Sequence, residues 1–302
     1  MQASCHSHVR DIINKLESYS NTLHPYFPIE VVHRVRTTYK KLRVVVALMK
    51  NVTPHSPSMR PAFSKYYKLL GRLRNVQLLV ERLNHEEELA ISEVVPLLIK
   101  KEQELVKQLK CKTLVKVVKK WKYKNEELFP RIIPQRSINV YLAQIFERVE
   151  VIANKQCVED SDLHAVRTLL KDAQNLAILF GHWENQAPND FVEFINDLGT
   201  YHDMVVQNIT LKELMPCLIE RATEINVRKY TAFIEEEIEK RRESLVNELI
   251  RLFGSSHKVG KFETIEPGIL ENGGVDVFLC VQIRRRYHMI SIKAEPERYF
   301  YI

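Results

Sequence analysis

Residues 31–43, VVHRVRTTYKKLR, decide how the rest of this chain is read. Within them His33, Arg36, Lys40 and Arg43 fall at i, i+3, i+7 and i+10. On an α-helix each residue turns by about 100°, so these four side chains share an arc of roughly 80° along about 15 Å of axis. The opposite side carries Val31, Val35, Leu42, Val46 and Met49, an apolar stripe at helical spacing. The helix therefore buries aliphatics on one side and presents a column of cations, headed by one imidazole, on the other. Solvated helices usually mix Glu with Lys for i,i+4 support, yet no acid follows Glu30 until Glu81. A fixed positive stripe without its own counter-charge calls for an anion.

Composition agrees. The 302 residues carry a formal charge of +7 and a pI near 9.0, which points to a polyanionic partner: nucleic acid, phosphate polymer or acidic lipid. With 8 Gly and 45 Lys+Arg, the chain favours helices over sheets. The amino-terminal stretch lacks the apolar core of a signal peptide, and the aliphatic run 44–49 is far too short to span a bilayer. A soluble cytoplasmic protein with no membrane association is expected. The five cysteines are scattered and odd in number, as free thiols in a reducing compartment would be. Cys5, His6 and His8 have no second ligand cluster at zinc-site spacing, so no metal and no cofactor are expected.

The periodicity predicts helices over 7–23, 29–50, 61–84 and 86–124, the last bent near Pro96. The end of the fourth is the most basic part of the chain, with ten Lys against Glu102 and Glu104 between Lys100 and Lys124. Lys112, Lys116, Lys119 and Lys120 share one face there, either as a solubilising surface or as further anion contacts. Pro130 and Pro134 then punctuate a connection, and Ser137 is a good N-cap for a helix over 138–153. Helices over 160–180 and 190–207, with further helical segments to about Phe253, complete the pattern. The last 50 residues differ: VDVFLCVQI alternates and YHMISIK is placed to pair with it, a small β appendage.

The chain also repeats itself. His164, Arg167 and Lys171 reproduce the spacing of His33, Arg36 and Lys40 at an offset of 131. Leu70-Gly71-x-x-Arg74-Asn75 recurs as Leu198-Gly199-x-x-His202-Asp203 at an offset of 128. Two offsets this close indicate a duplicated four-helix unit. The expected organisation is 1–134 for the first half, 135–253 for the second and 254–302 for the extension. Gly71 and Gly199 read as points of close packing between helices.

The pattern His-x-x-Arg-x-x-x-Lys-x-x-Arg, repeated and followed each time by the Leu-Gly helix, resembles the CHAD domain (conserved histidine α-helical domain) over about residues 7–253. The resemblance implies an all-α fold of two pseudo-symmetric four-helix bundles, whose basic helices line a channel that binds inorganic polyphosphate. Ligand contacts would then come from His33, Arg36, Lys40 and Arg43, and from His164, Arg167 and Lys171 in the second copy, where Gln174 replaces the last Arg. Arg74, Lys112, Lys116 and Lys119 would contribute from neighbouring helices. Members of this family often carry a CYTH triphosphate-tunnel domain. The nearest string here, Glu237-x-Glu239-x-Arg241, lies in an apparent helix, where alternate residues diverge instead of lining one face.

Three function classes remain. Non-catalytic polyphosphate binding, with targeting to polyphosphate granules, fits best. Nonspecific RNA or other polyanion binding has the charge but no stacking platform in sight of the stripe. An enzyme, or an accessory to phosphate-handling enzymes, lacks a Walker-type loop and clustered carboxylates for Mg²⁺.

Overall fold

The computed structural model describes residues 5–23, 26–85, 94–110, 114–180, 189–219, 221–254, 275–283 and 286–294. The described helices are α1 (Cys5–Leu23), α2 (Ile29–Met49), α3 (Pro61–His85), α4 (Val94–Lys110), α5 (Leu114–Asn125), α6 (Gln135–Ala153), α7 (Asp160–Leu179), α8 (Asn189–Leu214) and α9 (Arg221–Phe253). Strands β1 (Val275–Ile283) and β2 (Arg286–Ala294) pair antiparallel, with Val275 opposite Ala294 and Ile283 opposite Arg286. The fold is all-α, with the alternating tail forming this one hairpin. By compactness the chain divides into two units, one of residues 1–141 with 199–242, the other of 142–198 with 243–302.

Three local expectations change. The stretch read as one long helix over 86–124 contains two, α4 and α5. Pro96 sits in the first described turn of α4, a position where proline is tolerated, and not in the middle of a described helix. Ser137 is not an N-cap, because α6 already starts at Gln135 and the Ser137 N–H donates to the Pro134 carbonyl (2.9 Å).

In the first unit, α2 packs chiefly between α1 and α3. Val32, Val35, Tyr39 and Leu42 form its buried stripe, and Val44, Val45, Val46, Leu48 and Met49 are buried in succession. Val32, not Val31, opens the stripe; Val31 is only half-buried. Each such aliphatic contributes about 1.5–3 kcal/mol on burial, so this buried side holds α2 in place while the cations stand along the other.

Polar contacts set where α2 begins. Phe27 is fully buried with φ of 50°, a left-handed conformation that is costly for a bulky side chain. Its N–H donates to Leu23 O (2.9 Å), and its carbonyl accepts from Gln77 Nε2 of α3 (3.0 Å). The same Gln77 nitrogen donates to Glu102 Oε1 of α4 (2.9 Å). One amide thus joins the α1–α2 turn to α3 and α4. At the other end of α2, Trp121 Nε1 donates to Ser58 O (2.8 Å), and Asn125 Oδ1 accepts from Ser58 N (3.2 Å), fixing the α2–α3 connection against α5. Helix α5 and the short 3-10 turn after it (Glu126–Leu128) are joined to α1 by Lys122–Asn14 (3.0 Å), Lys119–Glu17 (3.5 Å) and Arg10–Glu126 (2.9 Å).

Gln77→Ala removes the amide that donates to the Phe27 carbonyl and to Glu102. A loss of about 1–3 kcal/mol is expected, seen as a lower urea midpoint at unchanged slope.

Candidate anion-binding site

The first cation column is built by α2 and supported by α3. Arg36 is half-buried, and its Nη1 donates to the main-chain carbonyl of Tyr67 (3.0 Å). Its Cζ lies over the Tyr67 ring, 4.5 Å from the centroid, a cation–π contact. Tyr39, one turn along α2, stacks on the same ring with centroids 4.4 Å apart, and its hydroxyl meets Ser64 Oγ at 3.1 Å. The guanidinium can lie this close to α3 because residue 71 is glycine. A Cβ there would stand 2.4 Å from Arg36 Nη1 and 3.1 Å from Cζ. Glycine inside a helix costs about 0.5–1 kcal/mol relative to alanine, so α3 gives up helix stability at the point where Arg36 crosses it.

His33, at the head of the column, is exposed on one side. Partial burial and then the Arg74 charge pull its imidazole below the ordinary value; Lys40 and Arg36 add to this, and Glu30 opposes it. His33, Arg36, Lys40 and Arg74 therefore share one electrostatic neighbourhood. Arg74 reaches across from α3 and donates to Ile29 O in the first turn of α2 (3.4 Å). Arg43 extends the column and acts on the Tyr39 phenol, whose buried hydroxyl is pushed up overall. Arg34, outside the column, lies over the Tyr19 ring of α1 (5.9 Å).

The remaining predicted residues sit elsewhere. Lys112 lies outside the described residues. Lys116 is exposed on α5, and Lys119 pairs with Glu17. In the second unit, α7 carries His164 exposed and Arg167 and Lys171 half-buried. Burial and the Arg167 charge push the Lys171 ammonium down, and Lys171 Nζ donates to Gln174 Oε1 (3.1 Å). Arg167 Nε is buried without a hydrogen-bond acceptor. The second column is therefore short of the last cation, and Gln174 serves as an acceptor for Lys171 instead.

Sequence reasoning missed two features. Gly71 makes a close approach, but to the guanidinium of Arg36 and not to a helix backbone. An aromatic does stand at the column: Tyr67. Periodicity alone could not separate it from a core tyrosine. Arg36 and Tyr39 both lie against its ring.

The companion motifs also meet. An open groove of about 400 Å³ in the first unit is lined by Asn75, Leu78 and Leu79 of α3 and by Asp203, Val206 and Gln207 of α8, each 128 positions on. Arg82 Nη1 donates to Gln207 Oε1 across it (2.6 Å). Among the described residues no group of three or more His, Cys, Asp or Glu could hold a metal, and no helix is long and apolar enough to cross a membrane. Glu237 and Glu239 are helical in α9, paired with Lys240 (3.7 Å) and Arg242 (3.3 Å).

A model of the CHAD domain family matches residues 9–212. Among solved structures, the CHAD domain from the plant Ricinus communis is 16% identical, with a TM-score of 0.62 over 81% of this chain and 92% of that one. PptA from Streptomyces chartreusis is 12% identical, with a TM-score of 0.59 over 80% of this chain and 96% of that one. At these identities the likeness is one of fold. Among curated protein sequences, none matches this chain.

The His33 imidazole should titrate below about 6.5, its ordinary value, when followed by NMR. Arg74→Ala should raise it without restoring it fully, because burial remains. The unfolded chain binds this proton more tightly than the folded one, so His33 favours unfolding as pH falls from about 6.5 through its folded value.

Proposed function

We propose that the chain, which belongs to the CHAD domain family, binds inorganic polyphosphate without catalysis through the α2 column. The observation that carries this reading is a line of cations, His33, Arg36, Lys40 and Arg43, in a stretch free of acids from 31 to 80, with Arg36 held by a neutral carbonyl and a neutral ring. Polyphosphate is a ladder of anionic oxygens. Arg36 and Arg43 offer planar forks to non-bridging oxygens, and Lys40 a compact charge whose direction matters less. His33 donates from its ring N–H, and an adjacent polyanion favours its charged form.

Nothing at the column supports a reaction. A row of cations binds phosphate, and among the described residues no cluster of metal ligands stands beside it to activate water. The second column, lacking an Arg at position 174, contributes more weakly. A cytoplasmic role in localising the protein to polyphosphate granules follows from this reading. A general affinity for RNA is the rival reading; the covered ring of Tyr67 speaks against it, since single-strand binders present aromatic faces to bases.

A titration comparing long-chain polyphosphate with single-stranded RNA of similar charge tests the proposal. Wild type should prefer polyphosphate, with affinity falling steeply as salt rises. Arg36→Ala/Lys40→Ala/Arg43→Ala should lose about 100-fold or more, given charge-assisted contacts of this kind, while circular dichroism stays unchanged. Binding should take up a proton at His33, so affinity weakens as pH rises through the imidazole value of the complex. Equal binding of both polymers, or a triple variant that binds like wild type, contradicts the proposal.

A further inference from the structure

We infer that Gly71 and Tyr67 are positioning residues that set the column's choice of a phosphate polymer over single-stranded nucleic acid. The inference rests on the polyphosphate reading and adds to it the source of selectivity. Both polymers carry regularly spaced phosphates, so charge alone distinguishes them poorly. They differ in their bases. A nucleic acid strand gains affinity wherever an aromatic face is open to stacking, and each stacked base is worth roughly tenfold or more.

Tyr67 would be such a face. It is only half-buried and lies beside the cation column, where a backbone bound to Arg36 and Lys40 would bring its bases. The structure fills that face instead. Arg36 Cζ stands 4.5 Å from the ring centroid and Tyr39 stacks at 4.4 Å. Arg36 stays in that position because Nη1 is bonded to Tyr67 O, and because Gly71 leaves the space the guanidinium occupies. One arrangement thus does two things. It fixes the direction of the guanidinium, and it covers ring surface on which a base would otherwise stack.

Gly71→Ala separates these effects from folding. The new methyl group meets the far end of a flexible side chain, so Arg36 swings away at little cost, and alanine is the better helix former. Three variants, each compared with wild type for polyphosphate and for single-stranded RNA, give the test. Gly71→Ala should bind polyphosphate about tenfold more weakly, as for one lost charge-assisted contact, and bind RNA more tightly through the uncovered ring. Its urea midpoint should be no lower than wild type.

Tyr67→Leu also removes the ring contact of Arg36 but leaves nothing for a base to stack on, so both polymers should bind more weakly. Tyr67→Phe keeps the ring and the main-chain carbonyl and should restore wild-type behaviour towards both. A Gly71→Ala protein with the wild-type ratio of polyphosphate to RNA affinity overturns the inference. So does a Tyr67→Leu protein indistinguishable from Tyr67→Phe, a comparison that decides the matter even if the alanine variant fails to fold. A wild-type protein that binds no polyphosphate overturns the underlying reading and this one with it, and is recognised before any variant is made.

Discussion

Arg36 can work as part of a binding surface only because α3 lets a guanidinium lie against its backbone. An arginine on an open helix face samples many rotamers, and ordering it costs on the order of 1–2 kcal/mol before any contact is gained. Here that ordering is already made by neutral groups, the Tyr67 carbonyl and ring. A carboxylate orients an arginine by cancelling its charge; the Tyr67 carbonyl and ring orient Arg36 without doing so. Other cations of the chain lie against carboxylates, as in Arg10–Glu126, Lys101–Glu213 and Arg228–Glu224. Those cations serve the fold. Arg36 is oriented without being neutralised by these two contacts.

The rest of the first unit protects that geometry. Gln77 and Arg74 of α3 both reach the start of α2, at Phe27 O and Ile29 O, and so fix the level at which His33 and Arg36 face α3. Tyr39 stacks on Tyr67, and its hydroxyl meets Ser64 Oγ. Trp121 and Asn125 restrain the connection that brings α3 back along α2. Burial of the aliphatic side of α2 supplies the stability, while the charges of Arg74, Lys40 and Arg36 bear on the His33 imidazole.

Much of this was legible in the sequence, for physical reasons. Spacing at i, i+3, i+7 and i+10 fixes a shared helix face whatever the surroundings, so the column could be read directly. The ends of α2 and α3 were legible too, since proline marks both starts. The misread points depend on neighbours. Ser137 has the chemistry of an N-cap, but Pro134 lets the helix start earlier. Pro96 can bend a helix or begin one, and only the real start of α4 decides between them. Gly71 announced a close approach without naming the group that approaches. Tyr67 looks like any core aromatic until Arg36 is found over its ring. The hairpin of β1 and β2 followed from strict alternation, whereas Lys119 could not be assigned until Glu17 of α1 was found beside it.

The most direct test of a pre-positioned Arg36 is NMR of the arginine side chains, following Nε–Cζ rotation with and without polyphosphate. The account predicts slow rotation for Arg36 in the free protein, well below that of exposed Arg72, and a further shift of the same resonance when polyphosphate is added. Free rotation of Arg36, or a resonance that polyphosphate leaves in place, would contradict it.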